Sequence, residues 1–486
     1  MAQVRDRGKL GRQRPNPVSI VILLFILASA ECLSATHYVV TNGTPGVTST
    51  DPYTNWATAG TNIIDVVNTA ATNTSVRLVL VSNGVYYLTN VINVTNSMTL
   101  QGFHGRDATI LAGLGSVTTS RCMNVSAADS ILDGFTVTNF YVVKQNGAVN
   151  SSASSVSIIN CLFVGNSNIY LSGGGYGGGI NIAANNCIVT NCVFSNNYAY
   201  VGGGGLAVYS VQYTRIEGCY FYGNLCDDPY AGYGGACYIV GSDNTISNCI
   251  AINNTHYVSG GGFGIVSANN TRILNCSIVS NNVPSGRYGG GGGGVFSFGS
   301  SALLIKDCSI VGNRSATTGG GCLVSSSGTI RNCLIARNSA TNTGGGVWLT
   351  NSIVESCTVV SNYAKTSGGG VYIKDVGNGT NNIVYFNTAG VDANNFTNTA
   401  GNTGLQYSCV IPAVAGTRNI TNDPGLVNLD GGDYRLNVNS PCVNAGFNQS
   451  WMTNAVDLDG RSRIRYGTVD MGAYEVIFGG TIYGFH

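Results

Sequence analysis

Charge is what this sequence has least of. Lysine, arginine, aspartate and glutamate make up 9% of its 486 residues, against roughly a quarter in an ordinary globular chain. The formal net charge is +1, so neither the basic footprint of a nucleic-acid binder nor the acidic bias of a disordered tail is present. After the apolar stretch Val18 to Ala28 no second hydrophobic segment follows, which leaves the mature chain without a membrane-spanning helix. Histidine occurs four times, and neither it nor a second cysteine recurs beside the repeated cysteines described below; this argues against a metal-binding ladder.

What is abundant is glycine, 68 residues, and cysteine, 16 residues. Eight of the cysteines, Cys161, Cys192, Cys219, Cys249, Cys276, Cys308, Cys333 and Cys357, share one frame at intervals of 24 to 32 residues. An asparagine stands five places after each: Asn166, Asn197, Asn224, Asn254, Asn281, Asn313, Asn338 and Asn362. Three places before each is Ile or Val, and two places after is a further apolar residue. Self-similarity at such a period reads as one elongated repeat body rather than several globular domains.

Apolar residues at −3, 0 and +2 can face one interior only if the chain bends between −3 and 0, because an unbroken strand alternates by two. The residue at −1 is Asn, Asp, Ser or Gly in all eight units, and Asn, Asp and Gly in particular suit left-handed turn conformations. After the +5 asparagine comes a variable loop, then a glycine cluster such as Gly260 to Gly262 or Gly344 to Gly346, then an extended piece such as Val347-Trp348-Leu349. These features predict an all-β, single-stranded right-handed parallel β-helix, in which the stacked asparagines bond along a column. Successive ladder cysteines would be roughly 4.8 Å apart with parallel Cβ directions, whereas a disulfide wants Cβ atoms about 3.8 Å apart; the ladder thiols are therefore expected to be small buried apolar groups. The off-ladder Cys187, Cys226, Cys237, Cys322, Cys409 and Cys442 are the better candidates for bridges.

The frame extends outward. Ile131 to Asn139 fits it with Gly134 in the cysteine slot and Asp133 at the bend, and Asn382 to Asn387 fits a last full unit. Trp56 to Asn73 predicts a short amphipathic helix that plugs the open end. Residues 1–30 have the basic, apolar and small-residue layout of a secretory signal peptide, with cleavage after Ala30 or as late as Ala35. The expected organisation is that segment, an N-terminal cap and first coil over 36–97, repeats over 98–410, and a C-terminal cap over 411–486.

The repeats resemble the pectin lyase-like β-helix superfamily. Phe163-Val164-Gly165-Asn166, Phe194-Ser195-Asn196-Asn197 and Phe221-Tyr222-Gly223-Asn224, with the Gly-Gly elements, look like the repeats of polymorphic outer-membrane proteins. Beyond about residue 410 the series Asp423-Pro424-Gly425-Leu426, Asp457-Leu458-Asp459-Gly460-Arg461 and Asp470-Met471-Gly472-Ala473-Tyr474-Glu475 is similar to the C-terminal region of exported choice-of-anchor Q proteins. The resemblance implies a secreted, cell-surface or outer-envelope protein with any site on the outside of the coils, where enzymes of this fold cleave polysaccharides.

Two candidate sites follow. The loops ahead of the glycine clusters carry Tyr170, Tyr198, Tyr200, Tyr230, Tyr233, Tyr257, Tyr288 and Tyr363, and aromatic rings on one edge would bind a glycan. Three consecutive loops hold Asp227 and Asp228, His256 and Arg287, which stacking would gather for acid/base chemistry on an acidic sugar. Asp457, Asp459 and Asp470 are possible calcium ligands, or turn formers paired with Arg461 or Arg463. The leading expectation is an adhesin-like protein binding a polysaccharide, cell-surface glycan or partner; the alternatives are a polysaccharide lyase or glycoside hydrolase, and an inert envelope scaffold. Clustered charges on adjacent coils would favour catalysis, a flat aromatic strip without carboxylates would favour binding, and scattered tyrosines would favour the scaffold.

Overall fold

The structure, a computed structural model, describes residues 35 to 478 except 74–76, 118–119, 144–145, 171–173, 229–231, 286–289, 326, 393 and 400–403. Residues 1–34, which include Cys32 and the stretch expected from the sequence to be a signal peptide, and the tail from 479 lie outside the described residues.

The chain winds as a right-handed parallel β-helix with four walls, built from parallel sheets of 14, 13, 10 and 12 strands. The coil around Cys276 shows the plan. Arg272–Leu274 lies in the first wall, Ser277–Val279 in the second, Asn282–Val283 in the third and Val295–Phe298 in the fourth. Each pairs in parallel with the equivalent strand of the coils on either side. The third wall, two residues per strand, read from the sequence as part of the loop.

Two left-handed bends make the corners. The residue before each ladder cysteine has positive φ, from Ser356 at 51° to Gly218 at 62°, as the −1 composition requires. A second bend at +4, Gly165, Asn196, Gly223, Asn253, Ser280, Gly312, Arg337 or Ser361, also has positive φ; the sequence reading missed it. These bends turn the side chains at −3, 0 and +2 into one dry core, where Ile273, Cys276 and Ile278 are joined by their equivalents above and below.

The +5 asparagines form a buried column. The amide of Asn281 shows its economy: Oδ1 accepts from the backbone N of Asn254 (2.9 Å) and from its Nδ2 (3.0 Å), while Nδ2 donates to Ala251 O (2.9 Å) and Asn313 Oδ1 (3.0 Å). The same links run from Asn166 to Asn387 and end on Asn395. Every donor and acceptor of the corner is satisfied without water, which is what burial demands of polar groups.

All fifteen described cysteines are free and buried. Each ladder thiol donates to a nearby carbonyl, as Cys276 does to Leu274 O at 3.2 Å, so the ladder is packing, as its spacing predicts. No off-ladder bridge is present among the described residues. Cys237 and Cys322 sit in strands of the fourth wall beside Leu206, Phe263, Val295 and Val347 rather than beside one another. Cys409 and Cys442 do touch thiol to thiol, a contact that with burial pushes Cys409 up.

One register differs from the sequence reading. Leu132 pairs with Ile158 and Asp133 with Ile159, so Gly134, φ 74°, is the bend and Phe135 fills the cysteine slot. Asp133 therefore ends a strand instead of turning the corner, and accepts from Gln101 and Asn160.

Helix Ile63–Thr72 covers the N-terminal opening, burying Ile63, Val66, Val67 and Ala70 in the core. Parallel pairing already starts with Ala35–Val39 on Arg77–Val81 and continues to Cys409–Val410. At the far end Val414 packs on the core, and the later C-terminal residues run along the side of the last coils. There Tyr434, Leu436, Cys442 and Met471 pack against Leu334, Ala336, Val360 and Ile383. No described helix is long and apolar enough to cross a membrane.

The calcium reading of this region does not fit. Asp457 accepts from the backbone N of Asp459, Arg461 and Glu475, and Asp470 from Asn444 and Val476. Asp459 pairs with Arg461 at 3.2 Å, and no metal-holding group of His, Cys, Asp or Glu occurs among the described residues. Arg463, fully buried, pairs with Glu475 at 3.3 Å, and burial, opposed by that arginine, still pushes Glu475 up to about 9. These acids tie turns together.

Candidate functional site: the outer face of the fourth wall

Strand alternation decides which side chains leave the core. In Val347–Thr350 and Val371–Ile373 the first and third residues are buried and the second is half-exposed, whereas in Cys237–Val240 and Val295–Phe298 the second residue, Tyr238 or Phe296, lies outside the core cluster but is itself covered, 4% and 6% exposed. Register stacks those second residues into one column: Ala207, Tyr238, Gly264, Phe296, Leu323, Trp348 and Tyr372. The next outward position adds Phe298, 57% exposed, and Tyr209 extends the face at 36% exposed. No carboxylate, lysine or arginine stands in the column.

The rings pack in two groups. Tyr176 stacks on Tyr209 with centroids 4.1 Å apart and lies 6.1 Å from Tyr238. Tyr233 lies 5.8 Å from Tyr238 and stacks on Phe296 at 5.1 Å. Further along, Trp348 and Tyr372 lie parallel at 6.5 Å, with Lys374 Nζ 5.9 Å from the Trp348 ring.

The glycine clusters explain how this face is built. In the loop that returns to the fourth wall, a Cβ on Gly293 would stand 2.3 Å from Gly320 O, and one on Gly202 2.5 Å from Cδ1 of Tyr238. Glycine lets backbones stack at the corner and rings lie flat beside them.

The sequence-predicted tyrosines do not form one strip. Tyr198 and Tyr363 both start strands of the third wall, but six strands apart in its order. Tyr170 lies against Gly174, Tyr257 is exposed on its own loop, and Tyr200 is held by a backbone bond to Asn168. Only Tyr233 joins the aromatic face. Tyr230 and Tyr288 lie outside the described residues.

Three of the four members of the expected acid/base cluster, Asp227, Asp228 and His256, are among the described residues. Arg287 lies outside the described residues. Tyr198 Oη donates to Asp227 Oδ2 at 3.5 Å, and burial together with that carboxylate pushes the phenol up to about 12. Asp228, 5% exposed, lies close enough to Tyr176 and Tyr233 to raise both phenols beyond what burial does. His256 is the clearest correction. Thr255–His256 is a third-wall strand whose second residue points inward, in register with Cys226. The ring is 0% exposed and its Nδ1 accepts from Val258 N (2.9 Å) and Ser259 N (2.8 Å). It organises the turn beneath Tyr233 and meets no solvent.

Burial holds His256 down at about 3, against an ordinary 6.5. The unfolded chain therefore takes up a proton between those values while the folded chain does not. The contribution is fully present above about pH 6.5 and is lost as pH falls toward about 3. We expect the His256 imidazole resonances to stay at their neutral positions from about pH 7.5 to about pH 4. Titration near the ordinary value would contradict the burial.

Charged residues do meet on adjacent coils, at Lys306, Arg331 and Glu355 of the first wall. They are mutually engaged. Arg331 Nε donates to Glu355 Oε1 at 2.6 Å, Gln449 Nε2 to Glu355 Oε2 at 2.8 Å, Lys306 pairs with Asp307 at 3.1 Å, and the Arg331 guanidinium lies 4.7 Å from the Trp451 ring. This group fastens the C-terminal segment to the wall.

Tyr176, Tyr209, Tyr238, Phe296, Phe298, Trp348 and Tyr372 are not among the tyrosines expected from the sequence, which lie in the loops before the glycine clusters. The signal lay after them: in Val347-Trp348-Leu349 and Val371-Tyr372-Ile373 the middle residue of an alternating triplet is the exposed one.

Among known families, the right handed beta helix region matches residues 121–333. No curated protein matches the sequence. Solved structures that resemble the chain include pectate lyase Pel9A, at 15% identity over 90% of this chain and 96% of that one, TM-score 0.40. The A-module of the mannuronan C-5 epimerase AlgE6 of Azotobacter vinelandii matches at 13% over 74% and 94%, TM-score 0.40. PfbA, a surface adhesin of Streptococcus pneumoniae, matches at 12% over 73% and 89%, TM-score 0.33.

Proposed function

We propose that this protein is an extracellular or surface β-helix that binds polysaccharide along the outer face of its fourth wall. One observation carries the reading: four of the seven outward positions from Ala207 to Tyr372 on this uncharged sheet are aromatic, Tyr238, Phe296, Trp348 and Tyr372, with Gly264 and Leu323 between them; Trp348 and Tyr372 are half-exposed and Tyr209 and Phe298 are exposed beside the column. Rungs repeat at roughly 4.8 Å, so the rings form a track along the solenoid axis, and a rigid ring offers a sugar face contact area at little entropic cost. The strands of the track carry no carboxylate, and Asp228, the one beside Tyr176 and Tyr233, is buried; this suits binding better than bond cleavage, since general acid/base chemistry needs a titratable group within reach of the substrate.

Affinity electrophoresis of the mature chain through gels containing neutral and acidic polysaccharides tests this. Retardation by at least one polysaccharide is expected, with Trp348→Ala weakening it by up to about tenfold, the size of one lost ring contact. Retardation equal in wild type, Trp348→Ala and Tyr209→Ala/Phe298→Ala would refute the assignment of the face. Reducing ends or unsaturated uronates appearing in the same mixtures would replace binding by catalysis.

A further inference from the structure

A second feature lies at the opposite end of the molecule. A cleft of about 350 Å³ opens between the start of the N-terminal helix and the strand Gly84–Tyr87 with the turn after it. That volume falls at the lower end of the range for small-molecule sites, roughly 300 to 1,000 Å³. Its walls contain no charged side chain. Polar atoms come instead from amides and hydroxyls, among them Asn42, Thr61, Asn62, Thr89 and Asn90.

These groups are largely uncommitted. Among the described residues the side chains of Asn42, Thr61, Thr89 and Asn90 have no hydrogen-bond partner. Asn62 spends its Oδ1 on Ile64 N at 3.0 Å, which fixes the amide and leaves its two N–H donors over. Tyr87, 68% exposed, adds an aromatic ring to the rim. The frame is stiff, since Gly84–Tyr87 pairs along its whole length with Thr109–Ala112 and the helix is anchored in the core by Val66, Val67 and Ala70.

We propose that this cleft is a second binding site, taking a neutral pyranose unit of a glycan. Asn side chains both donate and accept, and Thr hydroxyls do the same, which matches the alternating donors and acceptors of sugar hydroxyls. The walls hold no lysine or arginine to pair with a carboxylated or sulfated sugar, so a neutral unit is the better match to their amides and hydroxyls. The site lies just before Ile92–Val94, the first strand of the fourth wall, away from the aromatic positions Tyr209 to Tyr372, and does not depend on the reading given to that face.

The test is calorimetric titration of the mature chain with neutral gluco-, manno- and galacto-oligosaccharides and with an oligogalacturonate of matched length. At least one neutral series should bind with a saturable heat, and Thr61→Val/Asn90→Ala should weaken it about tenfold, the equivalent of one to two hydrogen bonds. Tyr87→Ala should weaken it as well, while Trp348→Ala leaves it unchanged. All these positions except Thr61 and Trp348 are exposed, and circular dichroism would confirm that each variant folds. Absence of neutral-sugar binding, equal affinity for the uronate, or an affinity insensitive to Thr61→Val/Asn90→Ala would overturn the proposal. Loss through Trp348→Ala alone would assign the heat to the other face.

Discussion

Asn281→Ala is expected to cost about 3 kcal/mol or more, because it strands several buried polar groups at once and each such group costs roughly 1 to 3 kcal/mol. The alanine removes the acceptor of Asn254 N and Nδ2, and the donor to Ala251 O and Asn313 Oδ1. Asn254 Nδ2 keeps Phe221 O and Ile252 O as acceptors, but its backbone N–H loses its partner in a place water does not reach. Solenoids transmit stability mainly between neighbours, so the damage should centre on the flanking coils. Denaturant unfolding with hydrogen exchange at residues 250 to 315 measures it. A cost below about 0.5 kcal/mol, the scale of an ordinary surface change, would mean the column is decoration.

The second large effect concerns glycine, and it separates two reasons for the same residue. Gly293→Ala puts a Cβ 2.3 Å from Gly320 O and 2.5 Å from Arg314 O. Both obstacles are backbone, so no side chain can swing away, and the cost should reach or exceed about 3 kcal/mol, the upper end of ordinary overpacking. Gly165 has a different role: its φ is 63° and a Cβ there would meet nothing within 4 Å. Its equivalents one and three coils on are Asn196, φ 51°, and Asn253, φ 55°. Gly165→Asn should therefore change stability by less than about 0.5 kcal/mol. Thermal unfolding of the pair gives the comparison, and similar losses in both would show that neither crowding nor conformation had been assigned correctly.

The fold was legible because its constraints repeat. Cysteine at 0, Ile or Val at −3 and a turn former at −1 are the marks of a bend that recurs in every coil, and eight copies leave little room for another reading. Legibility failed where one copy departed from the pattern. Gly134 looks like a small residue in the cysteine slot, yet the adjacent Phe135 fills that space while the glycine supplies the bend. The second bend at +4 was hidden by its tolerance for Gly, Asn, Ser and even Arg337.

The site was less legible for a physical reason. A histidine between loops looks available, and only the two-residue strand Thr255–His256, invisible without its neighbours Cys226 and Ala199, turns it inward. Binding residues are often found on loops. Here Phe298, Trp348 and Tyr372 stand on strands, where rigid backbone holds their spacing.

The most direct test of polysaccharide binding at the fourth wall is the fluorescence of Trp348 as the only tryptophan. In a Trp56→Phe/Trp451→Phe chain, titration with a polysaccharide that retards the protein should shift or quench its emission saturably, with a midpoint matching the affinity from electrophoresis. Retention of binding with Trp348 emission unchanged through saturation would contradict the account and place the ligand elsewhere on the solenoid.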